Sequence, residues 1–224
     1  MNERRRDPES LHDADWRVNK ADDTRLEGSG RFPVLVELVK AAAPRLVLDM
    51  GCGSGHLAKR LKAVLKDVEI HGVDISTAAL ARAAGRLDRH WHLDVDKADL
   101  PMADGAYDVV ICSEVLEHIY DVDHALAELA RVLKPTGAGL VTVPNVAYWR
   151  YRLGMLLGRV PLPLDDDRHL HQFNRERLAR KIEQAGLTVE RTVGHGVRMP
   201  ALAAWWPTVF SDTLVCQVRR KGSR

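Results

Sequence analysis

Val47-Leu48-Asp49-Met50-Gly51-Cys52-Gly53-Ser54-Gly55 is the stretch on which the fold of this chain turns. It opens as a short apolar run ending in a carboxylate, the pattern of a strand buried on both faces of a parallel sheet. Glycines follow at alternate positions. His56 to Lys66 then carries Leu57, Leu61 and Leu65 at helical spacing. A glycine loop between strand and helix occupies the position at which open α/β sheets bind ligands. Glycine there lets the backbone turn sharply and approach a ligand closely.

The spacing narrows the ligand. Dinucleotide-binding loops read G-x-G-x-x-G and seat a pyrophosphate on the helix N-terminus. Here Gly51-x-Gly53-x-Gly55 follows Asp49. A carboxylate aimed into the loop repels a pyrophosphate and attracts an ammonium group. Asp74 closes the next apolar run, Val68 to Asp74, where a carboxylate can accept hydrogen bonds from both hydroxyls of a ribose. The pair favours a nucleoside carrying a cationic amino acid, such as S-adenosylmethionine, over a nicotinamide dinucleotide.

Outward from the loop, strands and helices alternate. Phe32 to Ala43 reads as a helix stopped by Pro44. Ser76 to Leu87 is Ala-rich and helical, with Ser76 or Thr77 as N-cap. His90–Asp94, Tyr107–Cys112 and Ala138–Val143 read as further strands, and Asp121–Leu133 as a helix stopped by Pro135 and Gly137. Arg175 to Gly186 is a helix with a glycine stop, and Leu187–Val193 with Thr213–Val218 suits a final antiparallel pair. The fold expected is α/β: a doubly wound, mostly parallel seven-stranded sheet covered on both faces. Residues 1–30 read as a flexible arm, 31–218 as the domain, 144–175 as an inserted lid and 219–224 as a basic tail.

Composition bounds the rest. The chain has 224 residues, 46% apolar and 29% charged, with a formal net charge of +2, a profile that suits one globular domain. So balanced a charge argues against nucleic-acid binding. No apolar run reaches a membrane-spanning length, and the first 30 residues hold no apolar signal core. Cys52, Cys112 and Cys216 are scattered, with no CxxC pair, which points to a reducing cytoplasm and neither a disulfide framework nor a zinc site.

The chain from about Arg31 to Cys216 resembles the class I S-adenosylmethionine-dependent methyltransferases. Val47 to Gly55 looks like their first motif. Gly72-Val73-Asp74-Ile75-Ser76 is similar to their second, where the acid holds the ribose, and Leu93-Asp94-Val95-Asp96 with Leu100-Pro101 looks like the adenine segment. Tyr107 to His118, which includes Ser113-Glu114-Val115-Leu116-Glu117-His118, resembles the fourth. The resemblance implies a cofactor site of Asp49, Gly51, Cys52, Gly53, Gly55, Asp74, Ile75, Asp94, Val95 and Ser113. Asp94 would meet the adenine amine with Val95 on the ring, Asp96 is a rival for that role, and Ser113 would line the methionine side. Pro144 to Arg150, Arg152-Leu153, Leu156 to Arg159 and His169-Leu170-His171-Gln172-Phe173 look like two groups. One is the MetW-type proteins, which act with an acyltransferase of methionine biosynthesis. The other is methyltransferases of polysaccharide and secondary-metabolite pathways.

The activity implied is methyl transfer to a small-molecule acceptor, with oxygen favoured as acceptor atom; the alternative is a non-catalytic accessory protein with a protein partner. His118 is the candidate acid/base, or a structural residue. His169 and His171, alternating as on an extended segment, face the substrate or pin the lid. No carboxylate or cysteine stands at a ligand interval from these histidines, so no metal is expected. Cys52 and Cys112 read as small apolar fillers, and Trp205-Trp206-Pro207 as a plug at one end of the sheet or a substrate or lipid platform.

Overall fold

The structure is a computed structural model, and it describes residues 9, 13, 14, 16, 30–195 and 200–222. Helix α1 (Arg31–Ala42) buries Phe32, Leu35, Leu38 and Val39 and ends at Ala43, which takes the left-handed conformation before Pro44. The repeating unit follows: β1 (Leu46–Met50), α2 (His56–Val64), β2 (Glu69–Asp74), α3 (Thr77–Ala83) and β3 (Arg89–His92). The Ser76 hydroxyl caps α3 by accepting the Ala79 N–H at 3.1 Å. This helix stops at Ala83, short of the Leu87 expected, because Gly85 adopts φ +81°.

The second half runs β4 (Tyr107–Ser113), α4 (Val122–Val132), β5 (Leu133–Pro144), α5 (Trp149–Leu156), α6 (Leu162–Asp165), α7 (Arg175–Gln184) and β6 (Leu187–His195), then α8 (Pro200–Trp205), α9 (Pro207–Phe210) and β7 (Thr213–Arg220). Asp121 caps α4 and Asn174 caps α7 through their side-chain oxygens. Strand β5 starts at Leu133, upstream of the expected Ala138. Leu133 pairs with Tyr107 and Ala138 with Val109, so the register shifts there and the intervening β5 residues, Lys134 to Gly137, bulge opposite Asp108.

Seven strands form one sheet in the order β3-β2-β1-β4-β5-β7-β6, with β7 antiparallel to both neighbours. The doubly wound, mostly parallel sheet read from the sequence is therefore the architecture present. Two apolar layers cover it: Phe32, Leu35, Leu57, Leu61 and Leu80 from α1, α2 and α3 on one face, and Leu126, Leu129, Leu178 and Ile182 from α4 and α7 on the other. Chain order reverses at β1, which pairs with β2 on one side and β4 on the other. The crevice above the C-terminal end of β1 follows from that reversal.

The 144–175 insertion leaves this rhythm. Helix α5 buries no residue, and Leu156 is 83% exposed. The segment is anchored at its base instead. Asn145 donates from Nδ2 to the Thr208 and Ser211 carbonyls at 2.9 and 2.8 Å and accepts the Ala147 N–H at 3.0 Å. Trp205 and Trp206 do not plug the sheet: they are 75% and 51% exposed, because the short helices α8 and α9 hold them outside it. Among the described residues no helix is long and apolar enough to cross a membrane.

Candidate functional site

The glycine loop hangs from β2. Gly51 and Cys52 donate their N–H groups to the Val73 carbonyl at 2.8 and 3.0 Å, and Gly51, Gly53 and Gly55 all take positive φ. Gly53 N–H then donates to Asp74 Oδ2 at 2.7 Å, and Ser76 N–H to Asp74 Oδ1 at 2.9 Å. Each carboxylate oxygen keeps accepting capacity beyond these bonds. Asp49 is buried beneath the loop, and its pKa is pushed up to about 7 by burial and by the Asp74 charge, against the pull of Arg31. A cation delivered to Asp49 would restore its ionised form.

Three adjoining cavities share this edge of the sheet. The first is lined by Gly51, Gly53, Asp74, Ile75, Asp94 and Val95, among others. The second lies deeper, against Arg31, Asp49, Cys52, Ser113 and His118. The third opens under the insertion, along Tyr151, Asp166, Arg168, His169 and Asp212. Glu114 lines all three, and His118 the first two.

The candidates from the sequence divide accordingly. Asp94 accepts the Asp96 N–H at 3.1 Å and pairs with Lys97 at 2.8 Å. Asp96 is engaged to the same extent, with one oxygen on the Tyr120 N–H at 3.0 Å and the other on the Asp121 N–H at 2.6 Å. The Ser113 hydroxyl bonds Thr142 Oγ1 at 2.9 Å. Gly55 stands back as the N-cap of α2, where a Cβ would meet Arg86 and Ala83. Burial raises the thiol pKa of Cys52 and of Cys112, as befits small apolar fillers. His169 and His171 part company. His169 bonds the Pro163 carbonyl at 2.9 Å and stacks with His118 at 4.8 Å between ring centroids, whereas His171 bonds the Tyr120 carbonyl at 3.2 Å beside Phe173. His171 lines none of the three cavities.

Other residues complete the site unannounced by the sequence. Trp16, from the N-terminal arm, is 6% exposed and lines the first and second cavities; a Cβ on Gly53 would lie 2.5 Å from its ring. Asp13 accepts from the Ser76 and Thr77 hydroxyls at 2.5 and 3.0 Å and from the Ala78 N–H at 3.2 Å, which docks the arm on the start of α3. Glu114 takes φ +56° and accepts a bond from Thr142 Oγ1 at 3.2 Å. Burial raises its pKa, opposed by Arg31. Glu117 is buried too, and burial with the neighbouring Glu114 charge holds its pKa well above the usual range. Its backbone carbonyl accepts the Leu170 and His171 N–H groups at 2.7 and 3.1 Å, tying the insertion to the loop after β4. Only the folded chain brings Glu117, His118 and His169 together.

A family model described as a methyltransferase domain matches residues 30–192, and the chain belongs to that family. It is 34% identical over 173 residues to a "Probable S-adenosylmethionine-dependent methyltransferase" of Mycolicibacterium smegmatis, covering 76% of this chain and 63% of that one. Over 139 residues it is 34% identical to 27-O-demethylrifamycin SV methyltransferase of Amycolatopsis mediterranei, covering 58% and 49%. The chain thus spans about three fifths of the first of these curated relatives and half of the second. Its fold matches magnesium protoporphyrin IX methyltransferase of Synechocystis, solved with bound S-adenosylhomocysteine, at a TM-score of 0.65 and 17% identity, over 96% of this chain and 100% of that one.

Proposed function

We propose that the chain transfers a methyl group from S-adenosylmethionine to a small-molecule acceptor, with a hydroxyl oxygen as the acceptor atom. The observation that carries this is the placing of two buried carboxylates, Asp49 and Asp74, on either side of a glycine loop that a side chain would fill. That donor set suits an ammonium on one side and a ribose diol on the other and repels phosphate. Asp49 would hold the ammonium and Asp74 the diol. Ile75 and Val95 would pack the adenine, and Asp94 would accept its amine. Cys52 and Ser113 would line the methionine side, and Gly51 and Gly53 give the clearance.

The cofactor supplies a methyl group already activated on a positive sulfur. What remains for the chain is positioning, which is worth roughly 7–11 kcal/mol when two reactants are held in line. His118, at the junction of the first two cavities, would take the hydroxyl proton, an effect of about 10²–10⁴-fold. His169 would contact the acceptor from the third cavity. The name of one relative, 27-O-demethylrifamycin SV methyltransferase, supports this reading. The balanced charge of +2 supports a free molecule over a nucleic acid, and the three free cysteines suit a cytoplasmic setting.

Calorimetric titration with S-adenosylhomocysteine, beside the Asp74→Ala variant, tests the cofactor site. Micromolar binding that weakens at least tenfold in the variant is expected, about 1.4 kcal/mol. Folded protein that binds neither cofactor form would overturn the reading. Binding without transfer to any component of a cell extract, with an acyltransferase retained as partner, would replace it with an accessory role.

A further inference from the structure

Both carboxylate oxygens of Glu117 lack a hydrogen-bond partner among the described residues, although the residue is only 1% exposed. A buried carboxylate in that state is costly unless something else meets it. The groups around it are metal ligands by type: one donor atom each from Glu117, His118 and His169 lie within 4.8 Å of one another. His118 Nδ1 faces the Arg168 carbonyl at 3.2 Å and His169 Nδ1 faces the Pro163 carbonyl at 2.9 Å. A carbonyl accepts, so both rings carry their proton on Nδ1 and keep on Nε2 the lone pair that a metal takes; His169 Nε2 lies 3.8 Å from Asp166 Oδ2, a further acid beside the cluster. We propose that Glu117, His118 and His169 bind one divalent first-row transition cation, of the manganese-to-zinc range, where the second and third cavities meet.

Two imidazoles and a carboxylate select that range over magnesium or calcium, which take oxygen ligands. Metal–ligand bonds of ~2.0–2.2 Å require the cluster to contract by about an ångström. The hydrogen bonds from Leu170 and His171 to the Glu117 carbonyl hold the His169 segment close enough for that. Glu114 and Glu117 are both buried at this corner, and the single cation Arg31 acts on both of them. Arg168 is already committed to Asp166, at 2.7 Å. Resting on the methyl-transfer reading, the cation would also bind the acceptor hydroxyl from the third cavity and acidify it. His118 would then act as a ligand in place of the base, and the hydroxyl proton would pass to solvent water.

Electron paramagnetic resonance of Mn²⁺ titrated into the full chain tests the site without any turnover. One Mn²⁺ per chain is expected, displaced by Zn²⁺, with electron spin-echo modulation from histidine nitrogen. Glu117→Gln and His169→Ala, checked for folding by circular dichroism, should each weaken binding at least tenfold. Folded wild-type protein that binds neither Mn²⁺ nor Zn²⁺, bound Mn²⁺ without nitrogen modulation, or undiminished binding in both variants would overturn the proposal. S-adenosylhomocysteine titrated into the same metal-free sample reads the cofactor site separately, so either conclusion can fail alone.

Discussion

Gly53 and Asp74 are joined by a 2.7 Å hydrogen bond from the glycine N–H to Asp74 Oδ2, so the loop after β1 and the carboxylate that ends β2 form one unit. Asp74 therefore shapes the loop as well as facing the first cavity. Asp74→Asn keeps the volume but presents an N–H₂ where an acceptor is needed on one side. It should lose at least tenfold in S-adenosylhomocysteine affinity, as Asp74→Ala does, and calorimetry on the two variants checks this. Retained affinity in Asp74→Asn would show that the charge is dispensable.

Asp49, in the role proposed for it, should make S-adenosylhomocysteine binding depend on pH. Its carboxyl ionises at about 7 in the folded chain and near its ordinary 3.8 when unfolded. The folded chain thus holds an extra proton between those values, and this group's contribution to stability is full below about pH 4 and fades as pH rises through 7. An ammonium ligand requires the ionised form, so affinity should climb up to about tenfold per unit below pH 7 and level above it. Titrations from pH 5.5 to 8.5 in the wild type should show that bend, and Asp49→Asn should abolish it along with most of the affinity.

Gly53 is constrained twice, by φ +52° and by the Trp16 ring. Gly53→Ala should cost about 1–2 kcal/mol from the left-handed backbone alone, with the clash in addition. In a Trp16→Ala background only the first part should remain. A double-mutant cycle read by chemical denaturation separates the two; equal costs in both backgrounds would mean that the arm does not rest on the loop in solution.

Asn145 holds the base of the insertion through two donated bonds and one accepted bond while fully buried. Asn145→Ala strands the Thr208 and Ser211 carbonyls and should destabilise the chain by about 2–3 kcal/mol. The loss should appear in the denaturation midpoint, and hydrogen exchange should speed first in residues 200–212.

Local chemistry was enough to read the fold. The apolar runs of β1, β2 and β4, the Leu57-Leu61-Leu65 spacing, the Ser76 and Asp121 caps and the Gly186 stop each depend on neighbours in the chain, and so they were legible without coordinates. Asp49, Gly51, Gly53 and Asp74 were legible as candidates for the same reason, because a strand that ends in a glycine loop dictates where those groups point. Boundaries were read less well: Leu133 joins β5 only because Tyr107 lies opposite it.

Tertiary structure alone decided which distant groups meet. Trp16 sits in a charged, weakly patterned arm, and its place against Gly53 comes from the docking of Asp13 on α3. His169 and His171 share a spacing that reads as a common face, yet separate partners, Pro163 and Tyr120, turn them apart. Glu117 and His118 stand far from His169 in sequence, beyond any ligand interval a local pattern could reveal. Their meeting depends on hydrogen bonds from the insertion back to the loop after β4, a long-range closure that is stable only once the sheet has formed beneath it.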